Sequence, residues 1–376
     1  MKLCLILILA SLATCQSVKS KLNKINFNIK KYFQDHSDLF DMDLNIDVAF
    51  DDYAKMFKKM YFHPGEMENR KNIFMQNVKK IFRHNKDKNC SFEMDINQFS
   101  DMDFEEFRNK HLNRNLIKEI TDDFGMDFTE LPRRRLRQRK LNGRNHKIDQ
   151  RRLQKIKRKV SWKHHCTGIK DQKSCAACYA FSTVAGYEVE RSRHSGKKES
   201  LSEQSMVDCV RTNRGCKAGS PARTINYIYS KGISKTAVYP FVSKQQTCKT
   251  AFMRSPHLVR DNLDYDYLDY GILSVVEALQ NGPIILVQTA NDAFRSYKKG
   301  VFDDTECTEE LDHSTLAVGY DLDAPVPYIE VKNSWGAGWG DNGWFKIKIG
   351  ELSNSNGGLC LMADHEYNMK IYFSEY

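Results

Sequence analysis

A run of like charge limits this chain more than any other feature. Residues 133–159 hold fourteen Lys or Arg and a single acid, Asp149. Such a run follows Pro132, lacks apolar periodicity over most of its length and cannot enter a core, so it reads as an exposed linker. Folded bodies must form on either side of it. The chain's net charge is +10, so the other 349 residues sum to −3. The folded parts are close to neutral, and a globally basic nucleic-acid-binding fold is not indicated. At 376 residues and 41% apolar composition there is material for two or three domains with real cores. No apolar run reaches the length of a membrane span.

The amino terminus reads as a secretory signal over residues 1–16. Lys2 precedes the apolar run Leu3–Ala10, and small and polar residues follow through Ser17. Export favours disulfides, and eight of the eleven cysteines lie beyond residue 160. Spacing alone leaves their pairing open among many connectivities. Asn89-Cys90-Ser91 is a glycosylation sequon, usable only in that compartment.

Residues 46–110 read as helical, from apolar residues three and four apart such as Ile73, Phe74, Val78 and Ile81. Beyond residue 160 the first half carries helix signals. Ser200 with Glu203 and Ser274 with Glu277 fit capping boxes, and Ser220-Pro221 with Gly232 brackets a helix. The second half carries strand signals at Ile284–Gln288, Ser314–Tyr320, Tyr328–Lys332 and Trp344–Ile349. Helices followed by strands predict an α+β body in two lobes.

The chemistry concentrates in Gln172-Lys-Ser-Cys175-Ala-Ala-Cys178-Tyr179. Cys175-x-x-Cys178 ahead of a helix fits a redox pair, half a zinc site, or a nucleophile beside a structural cysteine. No second pair at metal-ligand spacing follows, so no metal and no cofactor is expected. A thiol nucleophile needs a base and a group to orient it. His313 stands at the mouth of a strand signal, and Asn333-Ser-Trp335 ends the next one.

With these motifs the sequence resembles papain-like cysteine proteases, specifically cathepsin-L-like zymogens. Cys178 falls on the nucleophile, His313 on the base, Asn333 on its orienter, Gln172 on the oxyanion-hole donor and Trp335 on the aromatic shield. The propeptide motif is present as Glu66, Arg70, Phe74, Asn77, Ile81 and Asn85, followed by Asn97, Phe99 and Asp101. The resemblance implies a helical left lobe and a β-barrel-like right lobe behind a helical propeptide. It implies the pairs Cys175–Cys216, Cys209–Cys248 and Cys307–Cys360, with Cys90 and Cys166 left over. It places Gly219 and Ala218 along the substrate backbone, and Pro221, Leu286 and Ser314 around the main specificity pocket. His365 is expected near that pocket's floor, where protonation favours acidic or polar side chains. Ala176 and Ala218 replace the commoner glycines, and Tyr179 the usual Trp. Only 31 residues separate Cys216 from Cys248, leaving no room for the histidine-bearing loop of exopeptidase relatives.

The expected organisation is a signal at 1–16, an inhibitory propeptide at 17–132 with its core at 50–110, the basic activation segment at 133–159, and a peptidase domain at 160–376. The expected function is a monomeric cysteine endopeptidase of the secretory pathway, extracellular or lysosomal/vacuolar. It would hydrolyse peptide bonds through a Cys178–His313 thiolate–imidazolium pair, with protein and peptide substrates and its own propeptide as inhibitor. Two alternatives are a catalytically impaired papain-fold binding protein and a disulfide oxidoreductase using Cys175 and Cys178. The basic segment is either a protease-sensitive linker or a polyanion-binding arm.

Overall fold

The computed structural model describes residues 46–123, 150–254, 256–307, 310–350, 352, 359–362 and 367–374. The expected signal, His365 and most of the basic run lie outside them. Two compact units emerge, one of residues up to 88 with 96–103, the other of 89–95 with 104–376.

The first unit is built on two helices, Ile46–Met56 and Pro64–Lys86. Pro64 opens the second helix at a position where its missing N–H costs nothing. Phe74 and Val78, one turn apart, pack with Ala49, Phe50 and Tyr53 into an apolar cluster. The motif residues serve this packing. The Asn77 side-chain amide donates to the carbonyls of Ser100 and Met102, each at 2.9 Å. Arg70 donates to the Asp101 carbonyl at 3.0 Å. The Asp101 carboxylate accepts from Tyr53 Oη and Lys59 Nζ, both at 2.7 Å, and from Tyr61 Oη at 3.0 Å. Asn97 Oδ1 caps the Phe99 N–H at 2.9 Å, and Phe99 and Ile81 are buried. Glu66 and Asn85 face solvent.

The second unit holds eleven short strands among the described residues: β1 Phe92–Met94, β2 Lys159–Ser161, β3 Ile233–Ser234, β4 Leu258–Val259, β5 Leu263–Tyr267, β6 Ile284–Gln288, β7 Tyr297–Phe302, β8 His313–Asp321, β9 Tyr328–Lys332, β10 Trp344–Lys348 and β11 Met369–Phe373. Eight run in the order β1-β7-β10-β9-β8-β6-β11-β5, with β2 added along β8, while β3 and β4 form a separate pair. Against this sheet packs the helix Cys178–Ser195, which is buried along most of its length. A methyl at Gly186 would meet Ile371 Cγ2 and Leu316 Cδ1 at 3.2 Å, so glycine there lets helix and sheet approach closely. Helices Glu203–Cys209 and Pro221–Lys231 complete the helical side.

Several expectations need correction. The stretch read as wholly helical contains β1, whose residues pair with β7 far along the chain. Long-range pairing of this kind leaves no local periodicity to read. The cap of Glu203–Cys209 is Ser202, whose Oγ accepts from Ser205 N at 3.0 Å; the Glu203 carboxylate instead meets Lys170 at 2.6 Å. Helix Ile272–Leu279 starts two residues before Ser274, with Gly271 at its N-cap. The end of the basic run is not a bare linker. Gln150–Gln154 is helical, Ile156 is buried, and Lys159 begins β2. Arg152 pairs with Glu277, Arg158 with Asp323 and Lys159 with Asp321. The cations stay at the surface and find acids there, so charge alone did not exclude them from the fold.

Candidate active site

Cys178 opens its helix, and burial of that helix holds it in place. The structure pairs Cys175 with Cys216, Cys209 with Cys248 and Cys307 with Cys360. Cys178 and Cys166 are buried thiols. Cys175 is thus engaged elsewhere, and a Cys175/Cys178 redox couple is not formed here.

His313 is the first residue of β8, and Asn333 follows the last residue of β9. Pairing of the two strands brings them together, with Leu316 opposite Lys332. Asn333 Oδ1 accepts from the Ser334 N–H at 2.8 Å and lies 2.9 Å from His313 Nε2. The backbone donor fixes which end of the amide is oxygen, so Nε2 carries the hydrogen. In the neutral ring, the lone pair then sits on Nδ1, which is buried with no hydrogen-bond partner among the described residues. Trp335 stacks on the imidazole at 4.6 Å and keeps solvent from this contact. Trp339 sets its edge against Trp335 within the aromatic core, 4.9 Å away.

Gln172 is tied to the same loop. Its N–H donates to the Ser334 carbonyl at 2.8 Å, and its Oε1 accepts from Ser334 Oγ at 2.6 Å. Ser334 therefore orients both amides, a role that no sequence motif announced. With its oxygen so engaged, Gln172 turns Nε2 to the carbonyls of Cys175, at 2.9 Å, and His111, at 2.8 Å.

His111 belongs to a segment that covers the site. Helix Phe104–His111 leads through Asn113 to helix Leu116–Asp123. Phe107 meets Trp335 edge-on at 5.2 Å. Asn113 donates its backbone N–H to the Asp312 carbonyl at 2.8 Å and its side-chain amide to the Gly219 carbonyl at 3.0 Å. Arg108 pairs with Glu310 and lies 3.8 Å from the Asp312 carboxylate. Nothing in 104–123 resembled a motif, so its place on the site was not legible.

Burial sets the electrostatics of the covered site. Burial pushes the Cys178 thiol up to about 12, although backbone N–H groups of Ser314 and Tyr179 pull the other way. Burial pushes His313 down to about 4 against the Asn333 hydrogen bond. Both shifts favour the uncharged form of the group in this covered state. They run against a thiolate–imidazolium pair while the site is covered, because burying two charges costs more than their hydrogen bonds return. Burial also lifts Asp312 to about 7.

The expected pocket residues divide. Gly219, Ala218, Pro221 and Ser314 are buried by the site, and Ser314 Oγ lies 2.8 Å from Ser182 Oγ. Leu286 does not join the apolar contacts of the covering segment. Leu116 and Ile120 cluster with Val287, Leu311 and Tyr367. Strand alternation turns Leu286 to the opposite face, so a register difference of one residue exchanges the lining residue. Among the described residues no group of three His, Cys, Asp or Glu side chains could hold a metal.

The family model for papain family cysteine protease matches residues 156–368, and that for the cathepsin propeptide inhibitor domain matches residues 50–107. The chain belongs to the papain family of cysteine proteases. Among its relatives, papaya proteinase 4 of Carica papaya is 36% identical over 204 residues, covering 54% of this chain and 58% of the relative. Pro-cathepsin H of Mus musculus is 35% identical over 189 residues, covering 49% of this chain and 54% of the relative. The matches thus span less than two thirds of these relatives. The recombinant stem bromelain precursor superposes with a TM-score of 0.71 at 28% identity, over 88% of this chain and 98% of that one. Digestive procathepsin L 3 of the Tenebrio molitor larval midgut gives 0.69 at 26% identity, over 88% and 99%. The papain-like fold and the pairing of inhibitor domain with protease domain in one chain are those of the proforms.

Proposed function

We propose that this chain is the zymogen of a cysteine endopeptidase of the secretory pathway, acting outside the cell or in a lysosome or vacuole. One observation carries the reading: Gln172 Nε2, near the buried Cys178, already donates to a peptide carbonyl, that of His111. In a productive complex that place belongs to the scissile carbonyl oxygen. Once the cleft is uncovered, water and substrate replace the desolvating cover. His313 Nδ1 then takes the Cys178 proton, and the thiolate attacks the carbonyl carbon. The oxyanion is held by Gln172 Nε2–H and the Cys178 N–H. The imidazolium returns its proton to the departing amine, leaving a thioester; water, deprotonated by His313, releases the acid and restores the thiol. Asn333 and Trp335 hold the ring throughout. Residues 17–132 act as the inhibitory propeptide, within which 104–123 is the part that covers the site; 1–16 act as the signal, Asn89 as the glycosylation site, and 133–159 as the segment within which the chain is cut on activation.

The test is labelling with a thiol-directed epoxide after proteolytic removal of the cover, mapped by mass spectrometry. Stoichiometric label on Cys178, lost in His313→Ala, is expected, with hydrolysis of casein abolished in Cys178→Ala. In Gln172→Ala, kcat should fall by a factor of about 100 to 1,000, the usual worth of one oxyanion donor. A folded, processed protein that takes no label and cleaves nothing refutes the reading.

A further inference from the structure

The loop 210–223 carries Arg211, Arg214, Lys217 and Arg223 and no acidic residue. It is a rigid piece of chain. Cys209 and Cys216 anchor it through two disulfides, and Arg223 sits in the first turn of helix Pro221–Lys231. Arg223 Nη1 donates to the Thr212 carbonyl at 2.9 Å, which fixes the guanidinium to the loop itself. Gly219, whose carbonyl faces the cleft, lies between Arg214 and Arg223 in the chain.

A carboxylate is seated on this pair. Glu119 of the covering segment places Oε1 2.5 Å from Arg214 Nη2 and Oε2 2.6 Å from Arg223 Nη1, while Arg223 Nη2 donates to the Glu119 carbonyl at 3.1 Å. Glu119 is only 4% exposed and Arg223 is mostly buried, whereas Arg214 is half exposed, so the Arg223 side of the contact is desolvated and the Arg214 side faces solvent. Each carboxylate oxygen has its own guanidinium, an arrangement that distinguishes a carboxylate from an amide or a neutral side chain. When the cover leaves, the loop keeps its shape and its cations, and Glu119 goes with the cover.

We propose that Arg214 and Arg223 form a carboxylate-binding subsite that gives the uncovered cleft a preference for an acidic substrate side chain, the place that Glu119 holds in the covered state. The preference applies beyond the residue in the main pocket, along the Gly219 wall, at P3 or P4. The subsite rests on the peptidase reading above, and it adds a substrate class to it. It also explains why the covering helix carries a buried acid in an otherwise apolar contact.

The experiment uses the full chain processed in trans and active-site titrated. Peptides identical except for Glu, Gln or Lys at P3, and in a second set at P4, are compared at low and high salt. At one of the two positions, kcat/KM for Glu should exceed that for Gln by about tenfold at about 50 mM salt, about 1.4 kcal/mol, with Lys below Gln. The ratio should shrink several-fold at about 0.5 M salt, where surface charge is screened. The doubly substituted R214Q/R223Q chain, its unfolding midpoint checked against the parent, should bring the Glu/Gln ratio to about one, and R214K/R223K should retain part of it. Fluorescence anisotropy of the same peptides on processed Cys178→Ala reports the same order in Kd without turnover. Failure of the active-site probe would strike the peptidase reading while this binding arm still judges the subsite. Equal Glu and Gln values at both positions in the parent, or a Glu preference that survives R214Q/R223Q, would overturn the proposal.

Discussion

Two buried groups of the proposed active site, His313 and Asp312, respond to acid in opposite directions, and Asp312→Asn should separate them. His313 is held near 4 under the cover, against 6.5 for an ordinary histidine. Uncovering the ring raises its affinity for a proton, so falling pH favours the open state between 6.5 and 4. Asp312 is held near 7 under the cover, against 3.8 for an ordinary aspartate. The covered state keeps that proton, so falling pH between 7 and 4 favours the closed state. Each tenfold difference in proton affinity between the two states is worth about 1.4 kcal/mol. From pH 7 to 5, full resolvation bounds the His313 contribution at about 2 kcal/mol toward opening and that of Asp312, which is already half protonated at pH 7, at about 2 kcal/mol or slightly more toward closure. They cancel to within about 1 kcal/mol. The Arg108 guanidinium, which also faces Glu310, stays charged throughout this range. Asn at 312 keeps an acceptor for the Ala290 N–H, a 2.9 Å hydrogen bond, and cannot titrate. The opening equilibrium of 104–123 should then rise by up to about 30-fold from pH 7 to 5, whereas the parent should stay nearly flat. The assay is amide hydrogen exchange of residues 104–123 in a Cys178→Ala background, normalised for the intrinsic pH dependence of exchange. Parallel profiles for the two chains would show that the cover is not what desolvates Asp312 and His313, and the reasoning would fail.

Asp101→Ala should unfold the first unit selectively. It strands a buried Tyr53 hydroxyl and a Lys59 ammonium that is 17% exposed, at a cost of about 3–5 kcal/mol. Urea titration with exchange mapping of residues 46–88 checks this, and Asp101→Asn should lie in between. Gly219→Ala should cost about 1–3 kcal/mol, because its Cβ would stand 2.6 Å from Cζ of the Tyr179 ring. That ring is fully buried and held through its hydroxyl to the Gly215 carbonyl at 2.9 Å, so it cannot yield easily. An unchanged thermal midpoint would refute the clash.

Much of the site was written locally. Cys178, His313, Asn333 and Gln172 each sit in a short motif, because each needs particular neighbours: a helix start, a strand end, an aromatic lid. The strands Ile284–Gln288 and Tyr328–Lys332 were visible because their apolar runs answer to burial on one sheet. β1, β5, β7 and β11 were not foreseen, since a short strand such as Phe92–Met94 takes its conformation from a partner about two hundred residues away. Leu286 was expected on the cleft side, but Val287 is the residue that meets Leu116 and Ile120 of 104–123, because which alternate residues share a face is settled by pairing with β8 and not by composition.

The order of residues alone specifies the family, the inhibitor domain and the four residues proposed for the catalytic machinery, since motif spacing encodes chemistry that tolerates few substitutes. The protonation of that chemistry belongs to the folded chain. Burial raises the Cys178 thiol and lowers the His313 imidazole, so both shifts favour the uncharged groups in the covered chain. The meeting of Glu119 with Arg214 and Arg223 is likewise a product of folding. Charges far apart in the chain acquire a meaning only when the fold removes the water between them.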